Sequence, residues 1–269
     1  MRVWWLAAAL CLGGCDSLRY YAQVVQGGYS VLARREPITR IVDDPSRDAT
    51  LRQRLQTVQQ ARRFAVTALH LPDNGSYTRY SEVHAPFVVY NVFATPALSL
   101  KPIEHCFPVA GCVAYRGYYA ERDARAEARR LQARGYDTFV GGVTAYSTLG
   151  WFDDPVLSTM LRWDDERLAA TIFHELAHQA VYVKGDTAFN ESFAEFVEHE
   201  GLRQWRVARG LTPEQPAGDG FDDAIAARVL QTRTQLETLY ASTASEADQR
   251  ASKAACLLYT SDAADEGLG

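Results

Sequence analysis

Two histidines and a run of glutamates lie close together in TIFHELAHQAVYVKGDTAFNESFAEFVEHEG, residues 171–201. His174 and His178 are four residues apart, so on a helix they lie one turn apart on the same face. Two imidazoles at that spacing can bind one zinc ion at about 2.0–2.1 Å. Glu175 lies about 100° round the helix from His174 and can face a water molecule at the metal. The spacing therefore predicts a catalytic zinc centre with Glu175 as general base.

The surrounding residues indicate that this motif lies on a helix. Acidic residues 164–166 precede it, where negative charge suits the helix dipole. Gly185 follows at a position typical of a helix end. An alternative interpretation is a pair of surface histidines on an amphipathic helix. The apolar residues that would face the core recur at helical spacing and are Ala169, Ile172, Phe173, Leu176 and Ala180.

A catalytic zinc site uses three protein ligands and leaves room for water, so a third ligand is needed. The next predicted helix carries Glu191, Glu195 and Glu198 on one face, at positions i, i+4 and i+7. Such an acidic face is usually solvated. Here a short KGD turn joins the two helices, so we expect them to pack antiparallel and to bring this face near the histidines.

HELAH followed by NESFAE resembles the gluzincin metallopeptidases, which carry HExxH on one helix and an Asn-Glu motif on the next. In that pattern the glutamate after the asparagine binds zinc, which is Glu191 here. The acidic residue four positions later orients the first histidine, which is Glu195 here. Twelve residues separate His178 from Glu191, fewer than in the best-known gluzincins. Glu195 therefore stays open as an alternative ligand.

A wider resemblance covers most of the chain, from Cys15 to about Leu230. A lipobox, a paired-cysteine loop before YRGYY, and the segments AYSTLGWFDDP, FHELAHQ and FNESFAEFVE together resemble a bacterial family labelled predicted aminopeptidases. This resemblance implies a peptidase that holds one zinc ion per chain and acts on peptide substrates. In gluzincins the strand before the histidine helix lines the cleft, and residues 138–152 occupy that place here. Tyr146 is then a candidate to stabilise an oxyanion, with ordinary packing on the sheet as the alternative.

Two other functions stay open. One is an envelope endopeptidase. The other is a non-catalytic lipoprotein in which zinc joins two helices, which requires a fourth protein ligand. His199 is the candidate, but it lies eight residues, about two turns, beyond Glu191 and should be too far. An aminopeptidase also needs carboxylates for the free amine of its substrate, and Glu198 and Asp153 are candidates.

The amino terminus, MRVWWLAAALCLGGC, places one positive charge before an apolar run and small residues. The run is too short to span a bilayer and fits an export signal. Its end resembles the bacterial lipobox, which implies cleavage before Cys15 and lipidation of that cysteine; a plain secretory signal or a short anchor is the alternative. We expect a signal peptide at 1–14 and a lipid-anchored, periplasm-facing protein of the bacterial envelope. Asp16 slightly favours the inner membrane.

The composition of the chain limits the kinds of partner and of domain organisation that we expect. The chain has 269 residues, a net charge of −5 and 47% hydrophobic residues, which permits a substantial core. No basic stripe interleaves with aromatic residues, so we expect no nucleic-acid partner.

We interpret residues 15–255 as one peptidase domain whose native carboxyl terminus is missing. Residues 256–269, CLLYTSDAADEGLG, resemble a translated sequencing adapter and are expected to be non-native. The sequence does not indicate an oligomeric state.

The hydrophobic patterns predict an α+β, gluzincin-like fold with a small, mostly antiparallel sheet and a mainly helical remainder. Helical periodicity runs over 18–71 until LPDNGSY ends it, and strand-rich segments follow. Cys106 and Cys112 lie among those strands with five residues between them. In an oxidising periplasm we expect them to form a disulfide; two free thiols are the alternative, and a zinc site is less favoured because no second pair stands nearby.

Overall fold

The computed structural model has eight α-helices and eight short strands among the residues it describes. These are 2–107, 111–145, 148, 152–213 and 221–266, with side chains described for 17–107, 111–145, 148, 152–213 and 224–258. The α+β class predicted from the sequence is confirmed.

Most of the strands lie between residues 79 and 157, with helices before and after them. The helices are α1 (Arg2–Ala33), α2 (Ile38–Asp43), α3 (Ala49–Thr67), α4 (Glu121–Gln132), α5 (Asp165–Ala180), α6 (Thr187–Ala208), α7 (Phe221–Tyr240) and α8 (Glu246–Glu266). The strands are β1 (Glu36–Pro37), β2 (Arg79–Ser81), β3 (Val89–Pro96), β4 (His105–Phe107), β5 (Gly111–Val113), β6 (Tyr115–Tyr118), β7 (Tyr136–Val143) and β8 (Val156–Leu157). In the described part of the chain, no helix is both long and apolar enough to cross a membrane.

The strands form three small sheets rather than the one sheet expected from the sequence. Their orders are β1-β2-β8, β6-β3-β7 and β4-β5. β1 pairs with β2 and β4 with β5 in antiparallel fashion, whereas β2 and β8 run parallel. Two parallel strands need a long connection. Here strands β3 to β7 lie between β2 and β8 in the sequence. The strand predicted over 138–152 begins at Tyr136 and ends at Val143.

Contacts within the chain divide it into two compact units. The first comprises Met1–Tyr90, Gly117–Glu121 and Gly142–Pro213, and the second comprises Asn91–Arg116, Arg122–Gly141 and Glu214–Gly269. The sequence alone indicates one domain over 15–255. The first unit contains α3, α5 and α6 together with the β1-β2-β8 sheet, and therefore the HELAH and NESFAE segments.

The histidine helix, α5, lies at the centre of the first unit. Its first turn is acidic, and the Asp164 carboxylate accepts a hydrogen bond from the Arg167 amide at 2.7 Å, which caps the helix. Ala169, Ile172, Phe173 and Leu176 are buried, as the apolar stripe predicted. Ala180, the last member of that stripe, is exposed because the helix ends there and the chain turns extended at Val181.

Aromatic packing holds three helices of the first unit together. Phe64 of α3, Phe173 of α5 and Trp205 of α6 have ring centroids 5.3 to 6.3 Å apart. Gly201 allows α6 to approach closely, because a Cβ atom there would lie 2.7 Å from the Leu69 side chain and 3.0 Å from the Phe173 ring. Aromatic rings packed at these distances favour specific relative positions and add apolar burial, although Phe64 is only partly buried. This packing therefore holds α5 and α6, the two helices that carry the motif residues, against α3.

The second unit contains α4, α7, α8, the β4-β5 hairpin and most of the β6-β3-β7 sheet. Cys106 and Cys112 lie directly opposite each other in the hairpin and are joined by a disulfide. Helix α8 begins at Glu246 and continues to Glu266, so the first part of the 256–269 segment is helical.

Candidate metal centre

Helices α5 and α6 pack side by side and are joined by residues 181–186. His174 contacts Glu198 of α6, whereas His178, one turn later in α5, contacts Glu191, which precedes Glu198 in α6. This order of contacts shows that the helices are antiparallel, as the short connection predicted. The packing brings the acidic face of α6 against the histidines.

The Asn190 side chain determines where α6 begins. Its amide accepts a hydrogen bond from the Val183 N–H and donates one to the Val183 carbonyl, both at 2.8 Å. The Asn190 side chain is buried, whereas Val183 is exposed. The Asp186 carboxylate then accepts from the Phe189 amide at 3.0 Å and caps the helix. These contacts place the following residue, Glu191, opposite the two histidines.

Three side chains converge on one point. The Nε2 atoms of His174 and His178 are 3.2 Å apart. Glu191 carboxylate oxygens lie 3.4 Å from the first of these nitrogens and 3.6 Å from the second. Two ligand atoms about 2.0–2.1 Å from one zinc ion at a tetrahedral angle would lie about 3.3–3.4 Å apart. The three separations match this value, so the donor set fits a metal ion, and these residues can bind one.

The tautomer of His174 leaves one ring nitrogen available to a metal ion. Its Nδ1 lies 2.8 Å from Glu198 Oε2, and a carboxylate can only accept, so Nδ1 carries the hydrogen. The Nε2 lone pair is then left for the metal. This hydrogen bond raises the pKa of His174 and lowers the pKa of Glu198 from their ordinary values. For His178, burial lowers the pKa and favours the neutral imidazole, the form that binds metals.

Glu198, rather than Glu195, orients the first histidine. The prediction that Glu195 would do so is corrected by the 2.8 Å contact between Glu198 and His174. Glu195 is exposed on α6 and makes no ion pair with a described residue. The reason is geometric: the two nitrogens lie on opposite sides of the imidazole ring. The partner of Nδ1 must therefore lie about two helical turns beyond Glu191, the residue that contacts Nε2. Glu198 is seven residues beyond Glu191, which is about two turns.

The sequence also predicted candidate residues outside the three that converge, and the structure describes some of them. Glu198 contacts His174, and its role with a substrate amine stays a prediction. Asp153 is exposed, and its carboxylate lies over Gly75. His199 is exposed and is not part of the group that can hold a metal in the described part of the chain. Tyr146 and the Cys15 side chain lie outside the described residues.

A loop that the sequence indicates only as a helix stop also reaches the histidine helix. Within residues 73–78, the Asn74 amide donates to Gln179 Oε1 at 2.7 Å, and the Ser76 hydroxyl lies 3.3 Å from the same oxygen. Gln179 directly follows His178. The Tyr77 amide donates to the Asp154 carbonyl at 2.7 Å. These bonds join segments far apart in the chain, so no local spacing in the sequence could have indicated them.

Comparison with known proteins identifies a family. A family model described as “Putative aminopeptidase” matches residues 19–263, most of the chain. No curated protein matches the chain, and no solved structure matches it. The matched range contains His174, His178 and Glu191, which could hold a metal ion, and includes residues 256–263 of the segment interpreted as non-native.

The first prediction separates the two glutamates. Glu198→Gln should weaken zinc binding by about 10- to 100-fold, because the amide cannot hold the imidazole as the charged carboxylate does. Glu195→Gln is the matched control one turn away and should leave zinc affinity unchanged. Competition with a chromophoric chelator measures both. Weaker binding in the Glu195 variant alone would reverse the assignment.

Proposed function

We propose a function on the premise that this chain belongs to the family described as “Putative aminopeptidase”. The proposed reaction is zinc-dependent hydrolysis of the peptide bond next to a free amino terminus. The observation that carries it is the convergence of His174, His178 and Glu191 at separations of 3.2 to 3.6 Å, on the helix pair that also carries Glu175. This arrangement resembles the gluzincin pattern.

The donor set favours zinc. Two imidazole nitrogens and one carboxylate oxygen are typical of catalytic zinc sites, which keep a position open for water. A zinc ion held there would activate a water molecule and polarise the carbonyl of the scissile bond. A zinc ion that only joined two helices would require a fourth protein ligand, and the group found among the described residues has three.

Each residue of the site has a role in this proposal. His174, His178 and Glu191 hold the metal, and Glu198 keeps the His174 ring oriented. Glu175 accepts a proton from the attacking water as the new C–O bond forms. It then donates that proton to the amine nitrogen as the C–N bond breaks.

Action at a free amino terminus requires a carboxylate for the substrate ammonium group, because an unpaired cation is costly to desolvate. Glu198 is engaged with His174. Asp153, the other candidate from the sequence, is exposed and lies over Gly75. Glu195 is also exposed and lies one helical turn from Glu191. We assign the ammonium contact to Glu195 in this proposal.

The proposal places the protein at the bacterial cell envelope, attached through a lipid on Cys15 and facing the periplasm. The lipobox-like sequence supports this location, and so does the Cys106–Cys112 disulfide, since disulfides persist in oxidising compartments. Metabolic labelling with a fatty acid should mark the wild-type protein but not Cys15→Ser. Equal labelling of both proteins would exclude a lipid at Cys15.

Glu175→Gln tests the role of the base. The variant should still bind one zinc ion per chain, but its hydrolysis rate should fall at least about 100-fold, because the amide cannot take the proton. Glu200→Gln, on the surface of α6 and paired with Arg203, is the control and should keep full activity. Elemental analysis and peptide hydrolysis with and without chelator provide the measurements. Activity that survives removal of all metal would rule out the proposal.

A matched peptide pair tests the site of cleavage. An unblocked short peptide should lose its first residue, and acetylation of that residue should stop the reaction because it removes the ammonium charge. Glu195→Gln should raise KM for the unblocked peptide without changing zinc content. Mass spectrometry identifies the products. Internal fragments from the acetylated peptide would instead show an endopeptidase.

A further inference from the structure

Helix α1 is bound along one side to the rest of the first unit. The Gln23 side-chain amide donates to the Gly117 carbonyl at 3.1 Å and accepts from the Tyr119 amide at 3.2 Å. The Tyr20 and Tyr118 rings meet edge to face with centroids 5.5 Å apart. These contacts determine which side of α1 faces the protein. The buried residues on that side recur at helical spacing and are Tyr20, Gly27 and Val31.

The opposite side of α1 is apolar and open. Its residues lie within about 60° of one another round the helix, about 180° from the buried ones, and are Leu18, Ala22, Val25 and Tyr29. Leu18, Val25 and Tyr29 are 72%, 69% and 72% exposed, and Ala22 is exposed too. A helix of a globular protein normally turns such residues to the core. This exposed apolar face, defined by these four residues, extends for about 16 Å along α1.

Positive charge flanks the exposed apolar face. Arg19, Arg34 and Arg35 are the only charged residues between 17 and 35, although the chain as a whole has a net charge of −5. Arg19 and Arg34 are exposed. Arginines beside an apolar helix face complement anionic lipid headgroups, and a tyrosine such as Tyr29 can place its hydroxyl among those headgroups. The residues of α1 from 17 onward therefore match a helix that lies in a membrane surface.

The position of this face in the chain selects a membrane as its partner. Helix α1 begins at Arg2, so the helix that carries the face also carries the apolar run 3–12 and Cys15. Leu18 follows Cys15 by three residues, a rise of about 4.5 Å along the helix. A chain held in a membrane at or before Cys15 therefore keeps the face close to that membrane. A second copy docked on the same face would instead bring the arginines of two chains together.

We propose that α1 from Leu18 to Tyr29 lies in the surface of an anionic phospholipid bilayer, with the exposed apolar face toward the acyl chains. This inference rests on the proposed envelope location and is independent of the hydrolytic reaction. Burial of the face adds to the attachment at residue 15. It also orients the first unit, because a helix bound along its length cannot swivel as a single lipid attachment can.

Spin labels on the full chain test whether the face lies in lipid. The protein is reconstituted into vesicles of phosphatidylethanolamine and phosphatidylglycerol, with Cys11 and Cys256 replaced by serine. A nitroxide is attached at Val25→Cys, or at Gln60→Cys on the exposed side of α3 as the matched control. The signal of the same protein without an added cysteine is subtracted, which removes any label at Cys15. The ratio of oxygen access to nickel-chelate access should be at least about threefold higher at 25 than at 60, because oxygen concentrates among acyl chains.

The outcomes separate this inference from the proposals on which it stands. Labels at Leu18→Cys and Tyr29→Cys should repeat the result at 25, and each labelled protein should unfold at the wild-type temperature because the replaced side chains are exposed. Equal ratios at 25 and 60 in vesicle-bound protein would overturn the inference and leave the envelope attachment standing. Labels at 25 that neither reagent reaches, with spectra broadened by label–label contact, would show a second copy on this face and overturn it as well. Protein that does not remain with the vesicles would remove the proposed location itself, whereas peptide hydrolysis judges the reaction separately.

Discussion

The two hydrogen bonds between the Asn190 side chain and the Val183 peptide are the contacts on which the candidate site most depends. They hold the connection between α5 and α6 and set the residue at which α6 begins. A shift of one residue would rotate the acidic face of α6 by about 100° and move Glu191 away from the histidines. The buried position of Asn190 makes these bonds costly to break, because its side-chain amide would lose its partners without gaining water.

Three glutamates on one face of α6 have different environments because α6 packs against α5 along its length. Glu191 faces both histidines, Glu198 bonds to His174, and Glu195 between them is exposed. The carboxylate of Glu198 also decides which nitrogen of His174 is protonated. Residues of one chemical type can thus bind a metal, orient a ligand and remain open to solvent within two turns of helix.

The aromatic cluster of Phe64, Phe173 and Trp205 packs the two helices of the site, α5 and α6, against α3. It packs on the buried side of α5, while the histidines and Glu175 lie on other faces of the same helix. The loop of residues 73–78 then closes over α5 from a second direction through Gln179. A metal site needs ligands held within a fraction of an ångström, and contacts on two sides of α5 favour such a fixed arrangement.

The sequence by itself determined the features that depend on local spacing. The α+β class, the histidine helix and its buried stripe from Ala169 to Leu176 follow from helical periodicity and capping residues, and the short KGD turn indicated an antiparallel helix pair. The tertiary structure decided what depends on the register between elements. It assigned Glu198 rather than Glu195 to His174, divided the strands among three sheets with β2 and β8 parallel, and brought Asn74 and Ser76 to α5. The physical reason is that helical periodicity identifies which residues share a face, whereas the contacts of each residue depend on how far two packed elements slide past one another.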